Sequence, residues 1–280
     1  MNLTVNLITR GRPDRLVKTL DGTLPLLEDP ATTFVVSVDE DDQATLDVLY
    51  SFDRIVVDCR PREDALGSKW NRGLDYPADV YFGLADYNPV LTQGFDRKIL
   101  EAASLFPDGI GVVYSNMANF SFPTGQGVTH GLVEKLGWMY PPLFPYWFVD
   151  HWIDDIAKLI DRISFADVQV NFIDAKPPTQ ESRELGFWAT FYDMMRLMRR
   201  AQARSIIDSD DFQEPEWRKE ILRRHYPLHE YRSQWINNHV RDMPQGAHVS
   251  GGERYDRLRA QAVEMMQAAW PALEKELRAA

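Results

Sequence analysis

The segment that most constrains the fold is Val80–Ala85 (VYFGLA), a short and nearly continuous apolar run. A run without polar alternation has the pattern of a strand buried on both faces of a sheet. A helix end and a turn precede it, and Asp86-Tyr87-Asn88-Pro89 closes it. Proline cannot donate to a sheet ladder, so the strand should stop there and leave Asp86 and Asn88 exposed at its carboxyl end. In open α/β sheets ligands bind at that end. A plain Asx-type turn would also account for the two side chains.

Other segments have the same strand-then-break form. Leu3–Thr9 alternates and is rich in β-branched residues, which predicts a first strand broken by Arg10-Gly11-Arg12-Pro13. Asp14 can then cap a helix running to Leu20. Thr33–Val38 is a second buried-type strand, with Asp39 the first residue past it and Glu40, Asp41 and Asp42 in a solvated turn. A helix over Gln43–Tyr50 leads to a third strand, Arg54–Asp58, next to which the single cysteine, Cys59, reads as a small core residue. One cysteine excludes an intramolecular disulfide and cannot by itself form a zinc site.

Leu66–Gly73 (LGSKWNRG) precedes the Val80 strand and reads as an amphipathic helix with Gly73 as its C-cap. Beyond Pro89 the pattern gives a helix over Phe95–Leu105, a strand over Ile110–Tyr114, a helix over Val128–Leu136 ending at Gly137, and a strand over Phe165–Ile173. Between the last two, aromatics and prolines (WMYPPLFPYWFV) run into Asp150-His-Trp-Ile-Asp-Asp155. Asp150 opens a helix there, and Asp154, four residues on, shares its face. Aromatic faces and carboxylates together suit a carbohydrate, since rings pack on the C–H faces of sugars and carboxylates bind their hydroxyls.

In order and spacing these segments resemble a nucleotide-sugar glycosyltransferase of the GT-A fold, of the family-two kind. The resemblance covers about residues 1–178. It implies that Asp39 accepts a hydrogen bond from the nucleotide base, and that Thr9, Arg10 and Arg12 contact the nucleoside or its phosphates. Lys69 and Asn71 would then touch the diphosphate or sugar. A carboxylate motif at Asp86 would hold a divalent metal, Mn2+ or Mg2+, on the diphosphate of the donor. The usual form has two or three carboxylates, whereas this chain has Asp86 with Asn88; His151 could supply a further metal ligand or an acceptor contact. Inverting transfer needs a base for the acceptor hydroxyl, and the resemblance assigns it to Asp150, with Asp154 as the second choice. A nucleotidyltransferase, or a nucleotide-binding scaffold without turnover, would use a similar sheet.

The expected architecture is therefore a GT-A-like, Rossmann-like mixed sheet flanked by helices over residues 1–178, followed by a helical C-terminal extension over 179–280. The extension carries helices over Glu184–Ile207, Glu214–His225, Leu228–Val240 and Arg254–Leu277, and a loop over Pro244–Gly252. It could cover the sheet, hold the acceptor or mediate homo-oligomerisation. A formal charge of −11 argues against an extended nucleic-acid surface but not against one nucleotide. No apolar run is long enough to span a bilayer and no signal-peptide pattern opens the chain, which points to the cytoplasm. The partners expected are a nucleotide-sugar donor and an acceptor that the residues do not identify.

Overall fold

The computed structural model describes residues 1–117, 125–173, 184–224 and 252–279. Seven strands form one mixed sheet: β1 (Leu3–Ile8), β2 (Thr33–Asp39), β3 (Val56–Arg60), β4 (Val80–Ala85), β5 (Val112–Met117), β6 (Gln126–Thr129) and β7 (Ile163–Val170). Their order is β3-β2-β1-β4-β6-β5-β7. The first four run parallel, β6 lies antiparallel between β4 and β5, and β7 is parallel to β5. All six residues of β1 and of β4 are buried, as two-face burial demands. Ile8 pairs with Ala85 and with Ser37, so the carboxyl ends of β1, β2 and β4 lie side by side.

Helices α1 (Pro13–Thr23), α2 (Gln43–Leu49), α3 (Leu66–Asn71), α4 (Phe95–Ala103) and α5 (His130–Leu136) occupy connections between these strands. After them come α6 (Val149–Leu159), α7 (Leu185–Met194), α8 (Arg196–Ile207), α9 (Glu216–Arg224) and α10 (Glu253–Ala279). Compact units do not follow a single cut after residue 178. One unit holds Met1–Glu63, Ser68–Tyr140 and Arg162–Ala175, and the other holds Asp64–Gly67, Pro141–Asp161 and Lys176–Ala280. The first contains the whole sheet and a core that includes Leu3, Val5, Leu7, Phe82, Leu84, Phe95 and Ile99. In the second, Phe144 packs against Trp152, Trp188 and Phe191 with ring centroids 5.2–5.9 Å apart.

Several boundaries differ from the expected ones. Asp14 does not cap α1: Arg12 takes the N-cap position and Pro13 the first turn, where a missing N–H costs nothing. Asp39 is the last residue of β2, because Arg60 extends β3 far enough to pair with it. β3 starts and ends two residues late, since Asp58 and Arg60 form an ion pair (2.7 Å) that lets polar residues continue an edge strand. Strand alternation then buries Asp58 and leaves Cys59 exposed, not in the core. Gly73 is not a C-cap. It lies inside a 3-10 turn (Arg72–Asp75), where an added Cβ would sit 2.8 Å from Asn6 Cβ. Val128 belongs to β6, whose pairing with both neighbours delays α5 to His130. The expected helix over Glu184–Ile207 starts one residue later, with Glu184 as its N-cap, and breaks at Met195 into α7 and α8. Expectations for 228–240 and 244–251 fall outside the described residues.

Gly83 in the middle of β4 is required for packing. A Cβ there would meet Tyr140 Cε2 at 2.9 Å and its hydroxyl at 3.0 Å, and Tyr140 is itself buried beneath Trp70 (ring centroids 4.9 Å). Gly83→Ala is expected to destabilise the protein by about 1–3 kcal/mol through overpacking, which a urea titration would measure. Among the described residues no helix is long and apolar enough to cross a membrane.

Candidate functional site

The candidate site begins with backbone geometry at the end of β1. Gly11 adopts φ 64°, the left-handed region open to glycine, and its N–H donates to Asp42 Oδ2 (2.5 Å). Its two arginine neighbours reach different carboxylates. Arg10 Nη1 bonds Asp39 Oδ2 (2.8 Å) and its fork grips Asp41 (2.6 and 2.9 Å), while Arg12 Nε lies 3.1 Å from Asp86 Oδ2. The Arg10 guanidinium holds the exposed Asp41 carboxyl down at about 2.

Asp39 is almost wholly buried and is neutralised from three sides: besides Arg10, Lys69 Nζ lies 2.8 Å and Arg72 Nη2 3.5 Å from its Oδ1. Lys69 also donates to the Thr9 carbonyl (2.6 Å), and Arg72 to the carbonyls of Val38 (3.0 Å) and Pro61 (2.6 Å). Burial lowers the Lys69 amine, against the Asp39 charge that raises it. Arg72 escaped the sequence reading, although Lys69 and Arg72 stand three apart and so face the same way on a helical turn. The same segment's Asn71 is committed elsewhere. Its Nδ2 donates to Tyr140 O (2.9 Å) and its Oδ1 accepts the N–H groups of Met139 and Tyr140 (both 3.0 Å). Asn71 thus staples α3 to the chain after Gly137 and its amide is taken up by backbone, not directed at a ligand.

Asp86 and Asn88 stand at the carboxyl end of β4 as expected, but they are buried, with Asp86 at 0% and Asn88 at 8% exposure. The loop after β1 and residue Asn171 cover them: Thr9 Oγ1 donates to Asp86 Oδ2 (2.9 Å) and Asn88 Nδ2 to Asn171 O (3.3 Å). Asp86 Oδ1 is buried and has no hydrogen-bond partner. Burial pushes the Asp86 carboxyl above its ordinary range, opposed by Arg12. A carboxyl raised in the fold adds stability at low pH and loses it as pH rises through the folded value, so ionised Asp86 costs stability at neutral pH. Asp86→Asn is therefore expected to raise the melting temperature at pH 7 by scanning fluorimetry; a fall would mean that Thr9 and Arg12 overcompensate the burial.

In the second unit, Phe148 precedes α6 with φ 71°, a left-handed conformation that costs a bulky residue about 1–3 kcal/mol and persists where surroundings fix it. Its ring stacks on Tyr192 at 4.9 Å. Asp150 follows in the first turn of α6, partly buried, and accepts from both the backbone N–H and Nδ1 of His151 (both 2.9 Å). Burial pushes the Asp150 carboxyl up, and the charge and hydrogen bonds of His151 outweigh it and hold the group below its ordinary value. Asp154 shares this face of α6 but is fully buried and paired with Lys158 (3.0 Å), which leaves it no access to an acceptor. Asp155 is buried as well. It accepts the Tyr192 hydroxyl and lies 2.9 Å from Arg199 Nε. The structure thus gathers Thr9, Arg10, Arg12, Asp39, Lys69, Asp86 and Asn88 at the strand ends of one unit and Asp150 with His151 at the head of one helix in the other.

The fold is that of GT-A glycosyltransferases. A mannosyltransferase from Pyrobaculum calidifontis, solved in complex with GDP-Man and Mn2+, matches with a TM-score of 0.51 at 14% identity, over 99% of this chain and 79% of that one. Glucosyl-3-phosphoglycerate synthase from Mycobacterium tuberculosis, solved with Mn2+, UDP-Glc and glycerol 3-phosphate, matches with a TM-score of 0.51 at 14% identity, over 71% of this chain and 79% of that one. No family model matches the chain, and none of the curated proteins compared with it is similar.

Proposed function

We propose that this protein transfers a sugar from a nucleoside-diphosphate sugar to an acceptor hydroxyl, with inversion and with the help of a divalent metal. The observation that carries the proposal is the cluster of paired basic and acidic side chains at the ends of β1, β2 and β4, where Arg10, Arg12, Lys69 and Arg72 meet Asp39, Asp41 and Asp86. In a chain of net charge −11, Arg10, Arg12, Lys69 and Arg72 are concentrated at the ligand-binding end of an α/β sheet. Solved proteins of the same fold bind GDP-Man or UDP-Glc together with Mn2+.

Arg10 and Lys69 lie beside the nucleoside and its diphosphate, with Asp39 as the buried counter-ion that fixes both; this narrows the expectation that Asp39 itself reads the base. Among the described residues no group of three His, Cys, Asp or Glu could hold a metal ion. The unpartnered Asp86 Oδ1 nevertheless fits one, because the chain supplies this carboxylate and the Asn88 amide while phosphate oxygens of the donor supply further hard ligands. When bound, such an ion neutralises charge on the departing nucleoside diphosphate. Asp150, ionised at neutral pH, takes the proton from the acceptor hydroxyl as its oxygen attacks the anomeric carbon and the bond to the diphosphate breaks. His151 holds that carboxylate in place.

Incubation with isotopically labelled sugar nucleotide and candidate acceptors tests the reading. Free nucleoside diphosphate with a glycoside of inverted configuration supports it. Exchange of pyrophosphate into the nucleotide would point to nucleotidyl transfer, and donor binding without sugar loss under any acceptor would point to a binding protein.

A further inference from the structure

The proposed metal carboxylate already has a cation on it. Arg12 Nε lies 3.1 Å from Oδ2 of the buried Asp86, and a divalent ion added at the same carboxylate would meet the guanidinium as a like charge. The arginine itself reaches solvent. Its side chain is 28% exposed, it follows Gly11 in a turn where an added Cβ would meet nothing within 4 Å, and its guanidinium carbon stands 5.4 Å from the Tyr87 ring centroid, a platform on which a cation can rest. It also has the fork geometry that matches a phosphate better than it matches a single carboxylate oxygen.

We propose that Arg12 competes with the metal for Asp86 and that the diphosphate of the donor resolves the competition. On nucleotide binding the guanidinium passes from Asp86 to the phosphates, and the freed carboxylate accepts the ion, which supplies the positive charge that Arg12 withdraws. The metal alone then binds weakly, metal and nucleotide bind cooperatively, and the ion enters and leaves with the nucleotide. This rests on the assignment of Asp86 as the metal carboxylate.

The test uses the full chain and the electron paramagnetic resonance signal of free Mn2+, titrated alone and with UDP or GDP in excess, so its readout does not depend on turnover. In the wild type the diphosphate should tighten Mn2+ binding by about tenfold or more. Arg12→Gln should bind Mn2+ alone roughly tenfold more tightly than the wild type, and the tightening by diphosphate should shrink by a similar factor. Arg12→Lys, which keeps the charge, should stay close to wild type without nucleotide. Mn2+ affinity in Arg12→Gln that is unchanged or weaker overturns the competition. Asp86→Asn separates that failure from failure of the site itself: if Mn2+ still binds that variant as it binds the wild type, or if neither diphosphate alters Mn2+ binding to the wild type, the metal assignment falls and the competition with it. Circular dichroism of each variant checks that it is folded.

Discussion

Arg199→Leu should be among the most destabilising single substitutions in the second unit, lowering its unfolding free energy by about 3–5 kcal/mol. Arg199 is 1% exposed and Asp155 3% exposed, and the pair sits inside an aromatic shell. The guanidinium lies over Tyr192 at 3.8 Å and Trp152 at 5.1 Å, and its Nη1 donates to the Tyr192 carbonyl (2.5 Å). Removing it strands a carboxylate in a place where water cannot replace the lost charge, although the Tyr192 hydroxyl still donates to it. Burial first, and the Asp155 charge after it, push the Tyr192 phenol well above its ordinary value against the opposing Arg199, so the phenol remains a donor and cannot also neutralise the acid. Urea unfolding followed by tryptophan fluorescence reads the loss, since Trp152 and Trp188 belong to this core. The double variant Asp155→Leu with Arg199→Leu should recover much of it, because the cost lies in leaving one charge unpaired. A single variant within about 1 kcal/mol of wild type would show that Asp155 draws its support from elsewhere.

What the chain discloses as text follows how local each cause is. β4 was legible to its last residue, because two-face burial writes a continuous apolar run and Pro89 ends it. The strand-end position of Asp86 was legible for the same reason, and the side-by-side arrangement of β1, β2 and β4 agrees with the GT-A resemblance drawn from motif order. Burial of Asp86 was not legible, since it comes from Thr9 and Arg12, more than seventy residues away in the chain. Asn71 was given a ligand role by the GT-A resemblance, through its place in the segment before β4; the partners that occupy its amide, Met139 and Tyr140, lie 68 and 69 residues on. Cys59 and Arg60 show a subtler failure. A strand was placed by its apolar residues, while the edge position let an Asp58–Arg60 ion pair extend it and turn the cysteine outward. In α6 the face shared by Asp150 and Asp154 was read from helical period, but period cannot tell that one end of that face is closed over by packing. Of the two, only Asp150 lies in the first turn, next to the strained Phe148.

That difference sets the second large effect. Asp150→Asn should leave nucleotide binding within about twofold of wild type and lower kcat by roughly 10²–10⁴-fold, the usual contribution of a positioned general base. The substitution is nearly isosteric. The amide oxygen can still accept from the His151 backbone and Nδ1, so α6 keeps its first turn and the imidazole its orientation, and what is lost is the lone negative charge that receives a proton. Because His151 holds the Asp150 carboxyl below its ordinary value, the wild-type base is already ionised through the neutral range, and its kcat should be flat there and fall only on acidification. His151→Gln removes the imidazole that offsets burial at Asp150 and should move that acidic fall to higher pH. Asp154→Asn is the internal control. It should affect stability through Lys158 and leave kcat per folded molecule nearly intact. Steady-state rates with the donor saturating, alongside isothermal titration of the nucleotide, separate these outcomes. Turnover in Asp150→Asn near the wild-type rate would remove the base from this helix, and a comparable loss in both aspartate variants would mean that the effect is one of α6 folding and not of proton transfer.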